Sequence, residues 1–218
     1  MLKNKKMNYF TIKSEATASL IEKKSEFIAN ITSCVTENEA LKFIEKMRSE
    51  NRKARHNVYA YILRENNTTR YSDDGEPSGT AGVPVLEVLK KKDLTDICCV
   101  VTRYFGGILL GASGLIRAYS CSCKLAVENA VISHMVESIE YALHCDYTEY
   151  GKIKYFLENQ NEPLIILNET FAENVKLQLL FEYNSTLPEK LVDITNDKIK
   201  IFKLNSGYRE LQVTPFCT

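Results

Sequence analysis

Seven of the nine glycines in the chain lie between Gly75 and Gly114. Glycine is the residue that takes left-handed turns and lets two backbones touch. One short stretch therefore carries nearly all the special backbone, and the rest reads as ordinary scaffold. The glycines fall in two loops. The first is Ser72-Asp-Asp-Gly-Glu-Pro-Ser-Gly-Thr-Ala-Gly82; the second is Phe105-Gly-Gly-Ile-Leu-Leu-Gly-Ala-Ser-Gly114. Each ends where a helical pattern opens, and the second directly follows a strand-like run.

The 218 residues allow one large domain or two small ones. Charged residues make up 26% and hydrophobic residues 44%, a globular mixture rather than a disordered one. Apolar runs such as 97–101 and 164–167 fall far short of the ~20 residues of a membrane helix. No membrane partner is expected. The basic start is not followed by an apolar segment, so a secretory signal is not expected either. Seven cysteines include no C-x-x-C pair, and Cys121 and Cys123 diverge on a helix. Reduced thiols in a cytoplasmic protein fit this better than a disulfide frame or a zinc site. The net charge of zero hides an asymmetry: 20 Lys and Arg against 15 Asp and Glu up to Val136, then 8 against 13. With the glycine bias, this suggests domains at 1–136 and 137–218, with the unusual chemistry in the first.

Patterning predicts strands over 16–23 and 26–33. Thr36 with Glu39 has the spacing of a capping box and opens a helix to about Glu50 through Ala40, Phe43, Ile44 and Met47. Residues 57–63 alternate, with Tyr59 and Tyr61 opposite Val58, Ala60 and Ile62. A short strand is expected near 69–72, a helix with Pro84 in its first turn, a buried strand over 97–103 and a buried helix over 114–129. The second half reads as strand 134–145, helix 149–159, strands 164–171 and 175–183, a helix capped by Thr186 and Glu189, and strand 198–204. That β-α-β-β-α-β order is the ferredoxin-like plan.

The first loop offers Asp73, Asp74 and Glu76. Three carboxylates in four residues could hold Mg²⁺ or supply an acid–base pair, as in a metal-dependent hydrolase. They could equally cap the next helix and pair with arginines, the reading the sequence favours. Gly106 and Gly111 have phosphate-loop spacing, but Ala112 and Ser113 follow where Lys and Ser/Thr are needed. Nucleotide hydrolysis of that kind is therefore not expected. Tight turns with Ser113 as N-cap is the favoured alternative to a nucleotide or small-anion sensor. Arg103 ends a strand and Arg117 falls in the first turn of the expected helix, where a cation opposes the dipole by roughly 0.3–1 kcal/mol. The two arginines could bind phosphate or an RNA backbone, or form salt bridges to Asp73, Asp74 or Glu76. His56, beside Arg52, Lys53 and Arg55, could be a base, an RNA contact or a structural donor. Tyr104 and Phe105 could stack on bases, although core packing suits Phe105 better.

Read together, three segments resemble the Impact/YigZ family. They are His56-Asn-Val-Tyr-Ala-Tyr61, the loop from Ser72 to Pro84, and Val101-Thr-Arg-Tyr-Phe-Gly-Gly-Ile-Leu-Leu-Gly111 continuing to Gly114-Leu-Ile-Arg-Ala-Tyr-Ser120. The family usually has a further glycine where Ser113 stands. The resemblance covers about residues 9–130, and the tail is similar in pattern to the family's small C-terminal domain. It implies an α+β chain of two domains. The first would be an α/β sandwich shared with a ribosomal small-subunit protein and domain IV of elongation factor G, the second ferredoxin-like. The leading expectation is a non-enzymatic, translation-linked protein without a cofactor, engaging RNA, the ribosome or a translation-regulatory protein. The binding candidates are His56, Asp73, Asp74, Glu76, Ser78, Thr80, Arg103, Tyr104, Gly106, Gly107, Gly111, Gly114 and Arg117.

Overall fold

A computed structural model describes residues 8–211. They form two compact units, one spanning Tyr9–Ser133 and the other residues 134–211 together with Asn8.

The first unit contains β1 (Tyr9–Ile12), β2 (Ala16–Glu22), β3 (Ser25–Ser33), α1 (Glu37–Glu50), β4 (His56–Leu63), β5 (Thr68–Ser72), α2 (Gly82–Lys91), β6 (Ile97–Tyr104) and α3 (Gly111–Asn129). Its main sheet runs β2-β3-β6-β4-β5, with antiparallel neighbours throughout. Helices cover both faces. Because strand side chains alternate, central β6 feeds two cores at once. Ile97, Cys99 and Val101 join Phe27, Ala29, Ile31, Val58 and Ala60 beneath α2 and α3. Cys98 and Val100 join Tyr61, Leu63, Phe43, Ile44 and Met47 beneath α1. Every residue of β6 up to Arg103 is buried, which is why its sequence reads as an unbroken apolar run. Fully burying a side chain such as Phe27 contributes roughly 1.5–3 kcal/mol.

The capping box at α1 forms as its spacing predicts: Thr36 accepts from the Glu39 N–H, and the Glu39 carboxylate reaches back to the Thr36 N–H. Two other expectations change. Helix α3 begins at Gly111, with Leu110 in the N-cap position. Buried Leu110 and Leu115 anchor its first turn against the core, which overrides Ser113 as a capping signal. Arg117 consequently lies in the second turn, away from the dipole's strong end. Strand β1 was not foreseen; it is only four residues long, and the Thr11 hydroxyl donates to the Asp96 carbonyl.

The second unit follows with β7 (Ile132–Cys145, which begins in the first), α4 (Tyr147–Glu158), β8 (Leu164–Phe171), β9 (Val175–Glu182), α5 (Leu187–Ile194) and β10 (Lys200–Glu210). Its strands pair antiparallel in the order β10-β7-β9-β8, the fourth, first, third and second of the unit. That is the ferredoxin-like arrangement. Leu143, Leu177, Leu179 and Phe181 meet Ile153 and Leu157 of α4 and Leu187 and Leu191 of α5. The expected Thr186–Glu189 capping box does not form. Thr186 makes no side-chain cap bond, and Ser185 Oγ accepts from the Leu187 N–H instead. Strand β10 runs six residues past its expected end, because an irregularity between Lys203 and Ser206 interrupts the alternation.

Candidate functional site at the glycine-loop end of the sheet

The register of three strands assembles the site. Phe27 of β3 lies opposite Arg103 of β6, and Arg103 lies opposite His56 of β4. By alternation Arg103 shares the face of Val101 and Cys99, and His56 shares that of Val58 and Ala60. Both side chains are therefore directed into the layer between sheet and α3. Arg103 is only 5% exposed. A buried guanidinium needs a counter-charge, and Glu76 from the first glycine loop supplies it, with Oε1 2.6 Å from Nη1. The same oxygen accepts from the Tyr119 hydroxyl of α3 at 2.8 Å. His56 Nε2 stands 3.8 Å from it. His56 Nδ1 lies 2.8 Å from the Asp74 carbonyl, so Nδ1 carries the proton that donates there and Nε2 is left facing Glu76. Burial, together with the Glu76 charge, pushes the Tyr119 phenol well above its ordinary range; the hydroxyl stays protonated and donates.

The guanidinium lies near two aromatic rings, 5.4 Å from the centre of Phe27 and 5.5 Å from that of Phe105. Its Nε has no hydrogen-bond partner and is the one such buried side-chain atom among the described residues. An arginine held this way has exchanged water for carboxylate and π-faces.

The acidic loop does not converge on one point. Asp73 accepts from the backbone N–H groups of Gly79, Ala81 and Gly82, closing the loop and capping the start of α2. Asp74 accepts from the Asn57 N–H at 2.7 Å and pairs with Arg48 at 3.1 Å. Glu76 serves Arg103 and Tyr119. Each carboxylate is committed to its own protein donors. No group of three His, Cys, Asp or Glu among the described residues is arranged to hold a metal. Thr80 is buried and its hydroxyl donates to the Pro77 carbonyl, while Ser78 is exposed.

The glycine loop is shaped by close packing. A side chain at Gly106 would place its Cβ 2.0 Å from the Lys24 carbonyl group, so only glycine lets the β2–β3 turn and this loop touch. Gly107 adopts φ +85° and needs glycine for that reason. Gly111 and Gly114 open α3. Phe105 and Ile108 are partly exposed, and Leu109 is 81% exposed. Tyr104 donates its hydroxyl to Asn51 Oδ1, tying β6 to the loop after α1. Arg117 does not reach the acidic loop; it is exposed and stands 3.6 Å from Glu22. The pairing of Arg117 with Asp73, Asp74 or Glu76 is thus replaced by Arg103–Glu76 alone.

Sequence reasoning missed Tyr119, Arg48 and the β2–β3 turn. In that turn Lys23 and Lys24 are both exposed at positive φ. Arg52, Lys53 and Arg55 are exposed on the loop after α1. The Arg55 N–H donates to the Arg103 carbonyl, so both basic turns border the glycine loop. A cavity of about 330 Å³ opens here, floored by His56, Glu76 and Arg103 and walled by Phe105, Leu109 and the first residues of α3.

A buried ion-pair cluster beneath a glycine loop, on a helix-covered antiparallel sheet followed by a ferredoxin-like unit, defines a class of two-unit α+β proteins. Residues 23–127 match the Impact N-terminal domain, and residues 143–198 match a domain of unknown function, DUF1949. The IMPACT family member YvyE of Bacillus subtilis is 41% identical over 94% of this chain and 95% of its own length. The IMPACT family member YigZ of Escherichia coli is 36% identical over 62% and 68%, respectively. The crystal structure of a hypothetical protein, 28% identical, superposes with a TM-score of 0.59 over 91% of this chain and 98% of that one. The chain belongs to the IMPACT family.

Proposed function

We propose that the protein is a non-enzymatic, translation-linked binding protein that engages RNA, as on a ribosomal surface, through the glycine-loop end of its first sheet. One observation carries this reading. Lys23, Lys24, Arg52, Lys53 and Arg55 are all exposed on the two turns that border the glycine loop. None of the five forms a salt bridge among the described residues, whereas Arg48, Arg64 and Arg103 are paired. Exposed Phe105, Ile108 and Leu109 lie among them. Unpaired cations interleaved with an aromatic ring suit a phosphate backbone with unstacked bases. Glu26 and Glu50 are the exposed carboxylates nearest these turns in sequence, and five cations outweigh them.

The contact set differs from the arginine pair that the sequence suggests. Arg103 is buried and paired, so it shapes the surface instead of touching phosphate. The test is a fluorescence-anisotropy titration of single-stranded RNA with the full chain across a salt series. Affinity should fall steeply as salt rises, with a slope reflecting several released counterions. The triple variant Arg52→Glu/Lys53→Glu/Arg55→Glu should lose at least tenfold in affinity, by a rough estimate from its contacts to phosphate, with an unchanged melting temperature. Binding that is salt-insensitive, or equal in the variant, would contradict the reading.

A further inference from the structure

The cavity behind the five cations is built for more than a backbone contact. Its floor presents acceptors that the protein itself does not use. Glu76 accepts from Arg103 and Tyr119 through Oε1 alone. Its Oε2 accepts no hydrogen bond from the protein, and Glu76 lines the cavity. The Glu76 side chain is only 4% exposed. In the neutral imidazole with Nδ1–H donated to the Asp74 carbonyl, Nε2 is the second acceptor. The walls are apolar, from Phe105, Leu109 and Leu115, and exposed Arg55 stands at the mouth. The volume of about 330 Å³ is within the range of small-molecule sites, roughly 300–1,000 Å³.

We infer that this cavity receives one unstacked guanine base, its N1–H and N2–H donors meeting Glu76 Oε2 and His56 Nε2. The inference rests on the RNA-binding reading above and adds a base preference to it. The argument is one of donors and acceptors. Two adjacent acceptors on a cavity floor require two adjacent donors on the ligand. Guanine has two on its Watson–Crick edge. Adenine and cytosine have one amino group beside an acceptor, and uracil has one N–H between two carbonyls; each would set an acceptor against the Glu76 carboxylate, leaving a buried polar group unpaired. The base's faces would lie against Phe105 and Leu109, as unstacked bases do on aromatic and apolar walls, and the attached phosphate would lie towards Arg55.

The test is an NMR titration of the full chain with GMP, IMP and AMP, with a parallel RNA titration. GMP is expected to shift the amides of Gly75, Glu76 and Ala112 saturably. IMP, which lacks the 2-amino group, and AMP should bind roughly tenfold more weakly, the size of one lost hydrogen-bonded base contact. Leu109→Ala, at an exposed position where folding is not at stake, should weaken GMP several-fold. Glu76→Gln, checked by its melting curve, should erase the preference for GMP over IMP. Three nucleotides that bind alike, no GMP shift at millimolar concentration, or an unaffected Leu109→Ala would each overturn the inference. Salt-sensitive RNA binding without a GMP preference would leave the basic face standing and remove only the base pocket. A GMP preference without RNA binding would remove the RNA reading and make the guanine that of a free nucleotide.

Discussion

Two buried carboxylates, one in each unit, are neutralised in opposite ways. In the first, Arg103 and Glu76 are both almost fully buried, 6% and 4% exposed at the side chain, and Tyr119 locks the pair. In the second, one buried carboxylate is Glu149, also only 6% exposed. Its partners Lys152 and Lys198 reach it from positions where they are 57% and 65% exposed. A lysine of that kind retains most of its water, so its ion pair is worth little. The enclosed arginine has given up its water and depends on its partner. The comparison teaches where the molecule has accepted a demanding internal arrangement: at the glycine-loop end of the first sheet, next to its unpaired surface cations. The second unit is stabilised mainly by its apolar layer beneath α4 and α5.

The sharpest way to break this comparison is to remove one cation from each unit. Arg103→Ala strands Glu76 in the core and should destabilise the protein by about 3–5 kcal/mol in urea unfolding. Lys152→Ala should stay below about 1 kcal/mol. Equal losses would contradict the asymmetry. Next in size is Asp73→Ala, which strips the acceptor from the N–H groups of Gly79, Ala81 and Gly82. A loss of about 2 kcal/mol is expected, together with faster amide exchange at those three positions; unchanged exchange would mean the loop holds without it.

Tyr119→Phe should cost about 1 kcal/mol at neutral pH, and it has a pH signature. A phenol whose pKa is raised in the folded state holds its proton more tightly there. Its contribution is complete below the ordinary value of 10.0 and is lost as pH climbs above it. Cys34, pushed from 9.0 up to about 12 by burial and the nearby Glu39 and Asp96 charges, adds a loss of the same sign beginning near pH 9. Stability curves for native protein and Tyr119→Phe should therefore converge above pH 10, the native protein falling more steeply. Parallel curves would show that the hydroxyl is not held by Glu76.

Much of the scaffold was legible in the sequence because it depends on local signals. Thr36 and Glu39 mark a cap that forms, and the alternation of Tyr59 and Tyr61 against Val58 and Ala60 places β4 correctly. The rhythm of the tail gives the ferredoxin-like order. The site was legible as a set of residue types, not as a set of contacts. Glu76 and Tyr119 are 43 positions apart, and Tyr119 lies within the apolar pattern of α3, where nothing distinguishes it from a core tyrosine. Arg103 reads either as an anion contact or as an internal partner of Asp73, Asp74 or Glu76; the parity of β6, which turns it inward with Val101, brings it to Glu76. Arg117 carries a similar local signal and ends up exposed, because burial of Leu110 starts α3 three residues before the expected point. The lysines of the β2–β3 turn become part of the site only through the contact that Gly106 permits.

The central claim is that function belongs to the basic, glycine-loop end of the first unit. The most direct measurement compares charge reversal in the two units within the full chain. Arg52→Glu/Lys53→Glu/Arg55→Glu is set against Lys190→Glu/Lys198→Glu/Lys200→Glu, each titrated with the same single-stranded RNA at low and moderate salt. The first variant should lose RNA affinity by at least tenfold, a rough estimate for removing contacts to phosphate, and show a shallower salt slope. The second should bind as the native protein does. Equal losses in both variants, or a loss confined to the second, would contradict the claim.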